Sequence, residues 1–312
     1  MARVTKTSMR GIPAVILGLW LAAGPALAAG NPGDAGLLFL RMGVGARETG
    51  MGDAGVAAST GAAAVFWNPA NNVFADFETD LILQHNRWLG AFDQESAAIA
   101  HRLGHGGVLG FIFSGLYADD LTRYDLTGVA VDQGNFSPSD LTFGVSYAHP
   151  LGERFAFGVT AKLVYERIDV YSDTGFAFDV SIAHKAIVEG LSFAASATNL
   201  GPQMTLKERP YDLPAAFRLG AAWTPVDVFR GKVTFAGEVF LPNDTNEKAH
   251  LGGEFRLIPE FALRAGYKAN YDTQGLTAGA GFRIKRLGVD YAYQDMTEGL
   301  DSGHRFSLSL IW

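Results

Sequence analysis

The feature that most narrows the fold of this chain is a strict period of two, which begins near residue 141 and runs to the last residue. "LTFGVSYA" sets Leu141, Phe143, Val145 and Tyr147 on one face and Thr142, Gly144 and Ser146 on the other, because successive side chains of an extended backbone point in opposite directions. The pattern recurs through Phe155/Phe157/Val159, Phe176/Phe178/Val180, Phe217/Leu219/Ala221/Trp223 and Val289/Tyr291/Tyr293, and it closes the chain with Phe306, Leu308, Leu310 and Trp312. Opposite these apolar positions stand Lys162, Glu166, Asp179, Arg218, Glu238, Glu254, Arg256, Arg264, Lys268, Arg283 and Asp290; none of these charges shares the aromatic face. A Lys or Arg facing lipid at the bilayer midplane costs about 2–4 kcal/mol, so a membrane barrel must sort its charges this way, while a soluble sandwich is only loosely obliged to. The expectation is an all-β protein, a transmembrane antiparallel β-barrel with those charges lining its lumen.

Weaker alternation near 80–88, 95–103, 107–117 and 190–199 brings the count to about fourteen strands, most of about 9–11 residues, the length a tilted strand needs to cross the hydrocarbon. Short connectors ("LGHGG", "HPLGE", "LIPE", "KRLG") separate longer ones, which predicts an outer-membrane barrel of a diderm bacterium with both termini on the periplasmic side. Tyr147, Tyr165, Trp223, Tyr267 and Tyr291 fall on the apolar face, where interfacial girdles are built. Phe306, Leu308, Leu310 and the terminal Trp312 form the kind of ending that outer-membrane assembly machinery reads. The longer connectors carry Asp119, Asp120, Asp125, Glu208, Asp212, Asp244, Glu247 and Glu298; a solvated surface accounts for them, and cation bridging to lipopolysaccharide is the alternative.

The first residues read differently. Arg3, Lys6 and Arg10, the apolar run "IPAVILGLWLAAGPALA" and the small residues Ala26 and Ala28 predict a cleaved signal peptide over 1–28, whose loss takes the net charge from −7 to −10 and argues against nucleic acid as a partner. The chain has no cysteine, so no disulfide and no thiolate metal site can form. Residues 29–77 are rich in Gly and Ala with little sustained period, and they precede the barrel predicted over 78–312. A barrel of this width cannot fill its own lumen, so 29–77 is predicted to be a hatch or plug inside it. Arg47, Met51, Phe66, Trp67, Asn68 and Pro69 are its candidate residues. Arg47 is either an ion-pair partner of the wall or a solvated cation. Asn68 caps and Pro69 starts a short helix after an extended stretch, and Phe66 and Trp67 are either anchors against the wall or the floor of an apolar ligand site.

Gly45-Ala46-Arg47, Gly50-Met51-Gly52 and Asn68-Pro69-Ala70, with "NLGPQM" at 199–204 and "LPAAFRLG" at 213–220, resemble the PorV/PorQ family, itself similar to the FadL/TodX transporters of fatty acids and hydrocarbons. The resemblance implies a fourteen-stranded barrel with an N-terminal hatch, and two functions. One is passive transport of hydrophobic small molecules; the other is a non-enzymatic shuttle or scaffold for secreted proteins in type IX-like secretion. Seven histidines, among them His85, His101, His149 and His250, sit in no nucleophile motif, and no spaced His/Asp/Glu set reads as a metal site, so neither an enzyme nor a cofactor is expected. Expected partners are outer-membrane lipid and lipopolysaccharide, the assembly machinery, and either hydrophobic small molecules or secreted proteins.

Overall fold

The computed structural model describes residues 33–118, 121–124, 127, 135–225 and 231–312. The expected signal peptide, the first residues of the 29–77 segment, and Asp119, Asp120 and Asp125 lie outside the described residues. The alternating runs become fourteen antiparallel strands closed into a barrel. In chain order these are β1 (Thr79–Trp88), β2 (Phe92–Arg102), β3 (Val108–Ala118), β4 (Ser139–Pro150), β5 (Phe155–Ile168), β6 (Tyr171–Lys185) and β7 (Leu191–Leu200). A two-stranded hairpin, β8 (Met204–Leu206) and β9 (Arg209–Tyr211), interrupts the connection from β7 to β10 (Ala216–Trp223). The ring continues through β11 (Lys232–Pro242), β12 (Lys248–Ile258), β13 (Phe261–Ala269), β14 (Gln274–Ile284), β15 (Leu287–Met296) and β16 (Gly303–Ile311). It closes where β16 pairs with β1 from Asp80↔Ile311 to Arg87↔His304. Closure removes every sheet edge, which a lipid environment requires because it offers no water to unpaired backbone groups.

Side chains sort by parity as the alternation demands. Phe143 and Phe176 on the outer face are more than half exposed, while Lys162, Asp179, Arg218, Glu238, Glu254, Arg264 and Lys268 on the inner face are buried. Two of the charges expected to line the lumen do not lie inside it. Arg256 and Arg283 have the inward parity but are exposed, because they stand next to the turns that end β12 and β14, where the wall gives way to solvent. Tyr291, expected in an interfacial girdle, sits at mid-strand and bonds His304 of β16, its OH lying 2.9 Å from Nδ1.

Connector lengths depart from simple alternation. At the end opposite the termini, β1 and β2 are joined by a tight turn in which Leu89 and Gly90 both have positive φ, 51° and 67°. Such a two-residue turn is normally signalled by Asn-Gly or Asp-Gly, so Leu-Gly hides it. At the same end only residues 169–170 separate β5 from β6, and these two strands, 14 and 15 residues long, take the place of a loop.

The interior is packed by the N-terminal segment. It carries a 3₁₀ turn (Leu38–Arg41), a helical turn (Ala46–Gly50), a second (Ala64–Trp67) and a 3₁₀ helix (Pro69–Phe74). The stretch before Asn68, expected to be extended, is thus helical, with Phe66 and Trp67 in its last turn. Ala62, Ala63 and Val65 pack against Ile82, Ala98, Ala100, Val108 and Ile112 of β1 to β3, whose inner face is apolar here rather than charged. Leu37 and Phe39 pack against Val164 and Ala177 of β5 and β6, and against Met204 of the hairpin.

Candidate functional site

The site is the contact between this segment and the inner wall, together with the cavities it leaves. Residues 50–52 lie directly on the wall: Gly252 of β12 and Gly266 of β13 are register partners, and a Cβ on either would run into the backbone of Met51 or Gly52. Glycine is required there because the two backbones approach closer than any side chain allows. Met51 itself is fully buried, packed with Ala54 against Ala222 and Ala236.

Polar contacts fix the segment around the ring. Gly45 N donates to Gln84 Oε1 (2.5 Å), Ala46 N to Ser307 Oγ (2.9 Å), Gly52 N to Thr277 Oγ1 (3.0 Å), Val56 N to Glu238 Oε2 (2.9 Å) and Ala62 N to Asp80 Oδ2 (3.2 Å). Short helical turns leave most of their N–H groups without intrahelical partners, and wall side chains satisfy them.

Charges reinforce these bonds. Asp53 accepts from Lys268 Nζ at 2.5 Å and faces Arg305 at 3.6 Å; Arg305 also donates to Gly43 O (2.8 Å). Arg47 Nε donates to Glu254 Oε2 (2.9 Å) and its Nη1 to Ala58 O (3.0 Å). Glu254 also accepts from Arg264 (2.7 Å), which reaches Asp290 (2.6 Å), and from the rim residue Arg256 (3.3 Å). Glu238 receives Arg218 and His250, and His250 Nε2 lies 2.8 Å from Tyr271 OH. Burial pushes the Tyr271 phenol above its usual pKa and keeps it protonated. Lys162 pairs with Asp179 at 2.6 Å, and Glu166 accepts from Tyr211 OH (2.6 Å) of β9. Arg283 lines only the cavity at the terminus-bearing end.

Trp67 is 4% exposed, and its indole is clasped between Gly43 and Gly55, each too close for a Cβ. Its Nε1 donates to Val44 O (2.7 Å), and the Arg218 guanidinium lies 4.9 Å from its ring centroid. Asn68 Oδ1 accepts from Ala70 N (3.0 Å) to cap the helix that Pro69 begins, and its Nδ2 donates to Ile182 O of β6 (2.9 Å). Phe66, only partly buried, packs against the apolar inner face of β1 to β3.

Three cavities remain. At the end opposite the termini a pocket of about 380 Å³ is walled by Phe39, Met42, Trp88, Phe92, Phe240 and Tyr271, with Arg41, Asp244, Lys248 and Lys268 among them. Beneath the 39–44 stretch lies an enclosed void of about 40 Å³ against Phe66, Trp67 and Arg218, enough for a few waters only. The third, about 160 Å³, is polar and lies at the terminus-bearing end against Arg47, Arg256, Arg264 and Arg283. Arg41, held by Asp244, Asn243, Pro214 O and Ala215 O, ties the segment to the loops around the first pocket.

Sequence reasoning missed Arg41, Thr49, Asp53, His250 and Arg305. The last two had a signal: each lies on the strand face opposite its apolar neighbours Leu251 and Phe306. Asp53 had only its place after Gly50-Met51-Gly52.

The sequence matches no family model and no curated protein. The fold matches solved structures over nearly the full length of each. The toluene transporter TbuX of Ralstonia pickettii superposes with a TM-score of 0.63 at 14% identity, covering 86% of this chain and 98% of that one. The CymD monoaromatic hydrocarbon channel gives 0.59 at 14% identity, covering 88% and 97%. A Pseudomonas aeruginosa FadL homologue gives 0.51 at 11% identity, covering 85% and 97%. The structures matched are transporters or channels of the FadL/TodX kind, and no sequence match supports the finer PorV/PorQ resemblance.

Proposed function

We propose that the protein is a passive outer-membrane channel for small hydrophobic molecules, with its termini in the periplasm, in which residues 33–77 act as a hatch. The observation that carries this reading is the 380 Å³ pocket, aromatic and aliphatic on most sides, open at one end and floored by the 39–44 stretch over a void too small for a hydrocarbon. A ligand that enters this pocket advances only if the segment shifts, so the hatch works as a gate. Similarity of fold to hydrocarbon transporters supports the same reading.

The test is uptake of a labelled monoaromatic hydrocarbon by cells with and without the protein, alongside Trp67→Ala. Slower uptake on deletion, and altered uptake by an assembled Trp67→Ala barrel, are expected; unchanged uptake on deletion overturns the proposal. One observation favours the alternative, a shuttle or scaffold for secreted proteins: the segment is held by ion pairs on several strands, which suits a barrel that does not conduct. Normal uptake together with lost surface display of particular proteins decides for that role.

A further inference from the structure

On the outer wall of β1 to β6, strand register sets side chains in level rows. Leu81, Ile99, Phe111, Val145, Ala161 and Phe178 are successive cross-strand partners and form one such row. In the row above it, Ala97 stands between Leu83 and Phe113. Because Ala97 and Ala161 are small among large neighbours, they floor a groove of about 600 Å³, within the roughly 300–1,000 Å³ of small-molecule sites. Its lining is almost wholly apolar.

Toward the terminus-bearing rim the chemistry changes within one row. His101, Leu109 and Tyr147 are the next level, and His149 and Phe157 the one after. Four residues of strand separate Val145 from His149, about 13 Å, which carries the wall from hydrocarbon depth into the headgroup layer. Tyr147 OH lies 3.0 Å from His149 Nδ1, and the His105 ring lies 6.0 Å from that of His149. Gly107 N can only donate, so His105 Nδ1 accepts its bond (3.3 Å) and the ring proton stands on Nε2. With Tyr147 donating to Nδ1, His149 takes the same tautomer. Both imidazoles then offer an Nε2–H donor at one place on the rim.

We infer that this face binds one phospholipid, an acyl chain lying in the groove over Ala97 and Ala161 and the phosphate accepting from His105 and His149. The occupant is a lipid because the groove opens on the bilayer, and a phospholipid because the donors stand at headgroup depth below it. The site rests on the barrel's place in a membrane and not on its cargo, so its failure leaves hydrocarbon uptake unaffected.

Native mass spectrometry of the full chain in mild detergent tests this. The protein is titrated with a dioleoyl phosphatidylethanolamine and, separately, with dioleoylglycerol, which has the same chains and no phosphate. The wild type is expected to retain one phospholipid and to prefer it over the diacylglycerol. Ala97→Phe with Ala161→Phe fills the groove and loses the lipid, while His105→Ala with His149→Ala binds the two lipids alike. Equal retention by the wild type and the groove variant overturns the site, as does equal binding of both lipids by the wild type, or a dimer mass in place of bound lipid. Folding of each variant is checked by heat-modifiable gel mobility, and Ala161→Phe alone is read the same way if the double variant does not fold.

Discussion

Asp53 concentrates more of the segment's attachment than any aromatic does. Its carboxylate faces Lys268 and Arg305, both buried, and it also accepts from Thr49 Oγ1 at 3.1 Å. Asp53→Asn leaves two buried cations without a counter-charge, and breaking a buried pair from one side costs about 3–5 kcal/mol. The expected result is a lower urea midpoint and protease cleavage within 33–77. Arg47→Ala is a milder lesion, because Glu254 keeps Arg264 and Arg256 and the Arg47 side chain is already 23% exposed. Its cost is on the order of 1 kcal/mol. Vesicle proteolysis and urea melts on both variants check the ranking; an Arg47→Ala effect equal to that of Asp53→Asn contradicts it, and unchanged protease sensitivity in Arg47→Ala removes that residue from the hatch-to-wall attachment.

At the scale of elements, the segment and the wall are built for each other. The inner face of β1 to β3 is apolar where Ala62, Ala63 and Val65 lie on it, and β12 and β13 offer Gly252 and Gly266 where Met51 and Gly52 pass. Gly266→Val places two methyl groups against the Met51 and Gly52 backbone, which the closed wall cannot yield. Expulsion of the segment is the expected outcome: rapid proteolysis within 33–77 and a leak of small solutes in liposome swelling. The ladders that pair β13 with β12 and β14 do not depend on that contact, so the barrel itself persists. Retention of a protected segment in Gly266→Val shows that the close approach is not what seats it.

For the whole molecule, ring closure between β1 and β16 predicts a barrel that stays folded in cold dodecyl sulfate and migrates faster on a gel than after boiling. Loss of that mobility difference contradicts the closed barrel. What the sequence by itself determined was the barrel: lipid outside and a polar interior impose a period of two on every strand that meets both, and Phe155 to Tyr165 or Phe306 to Trp312 display it residue by residue. The signal fades in β1 to β3, where Ile82, Ala98 and Ile112 face an apolar segment instead of water, so both faces are hydrophobic and alternation loses its contrast. The tight Leu89-Gly90 turn was likewise hidden, since its positive φ values rest on closure and not on Asn or Asp. Only the tertiary structure decided which inward charges meet which parts of the segment. Asp53 and Lys268, or Thr49 and Arg305, are more than two hundred residues apart in sequence and come together through strand register and ring closure. Local pattern records which face a side chain takes; its partner across the lumen is set by the geometry of the closed ring.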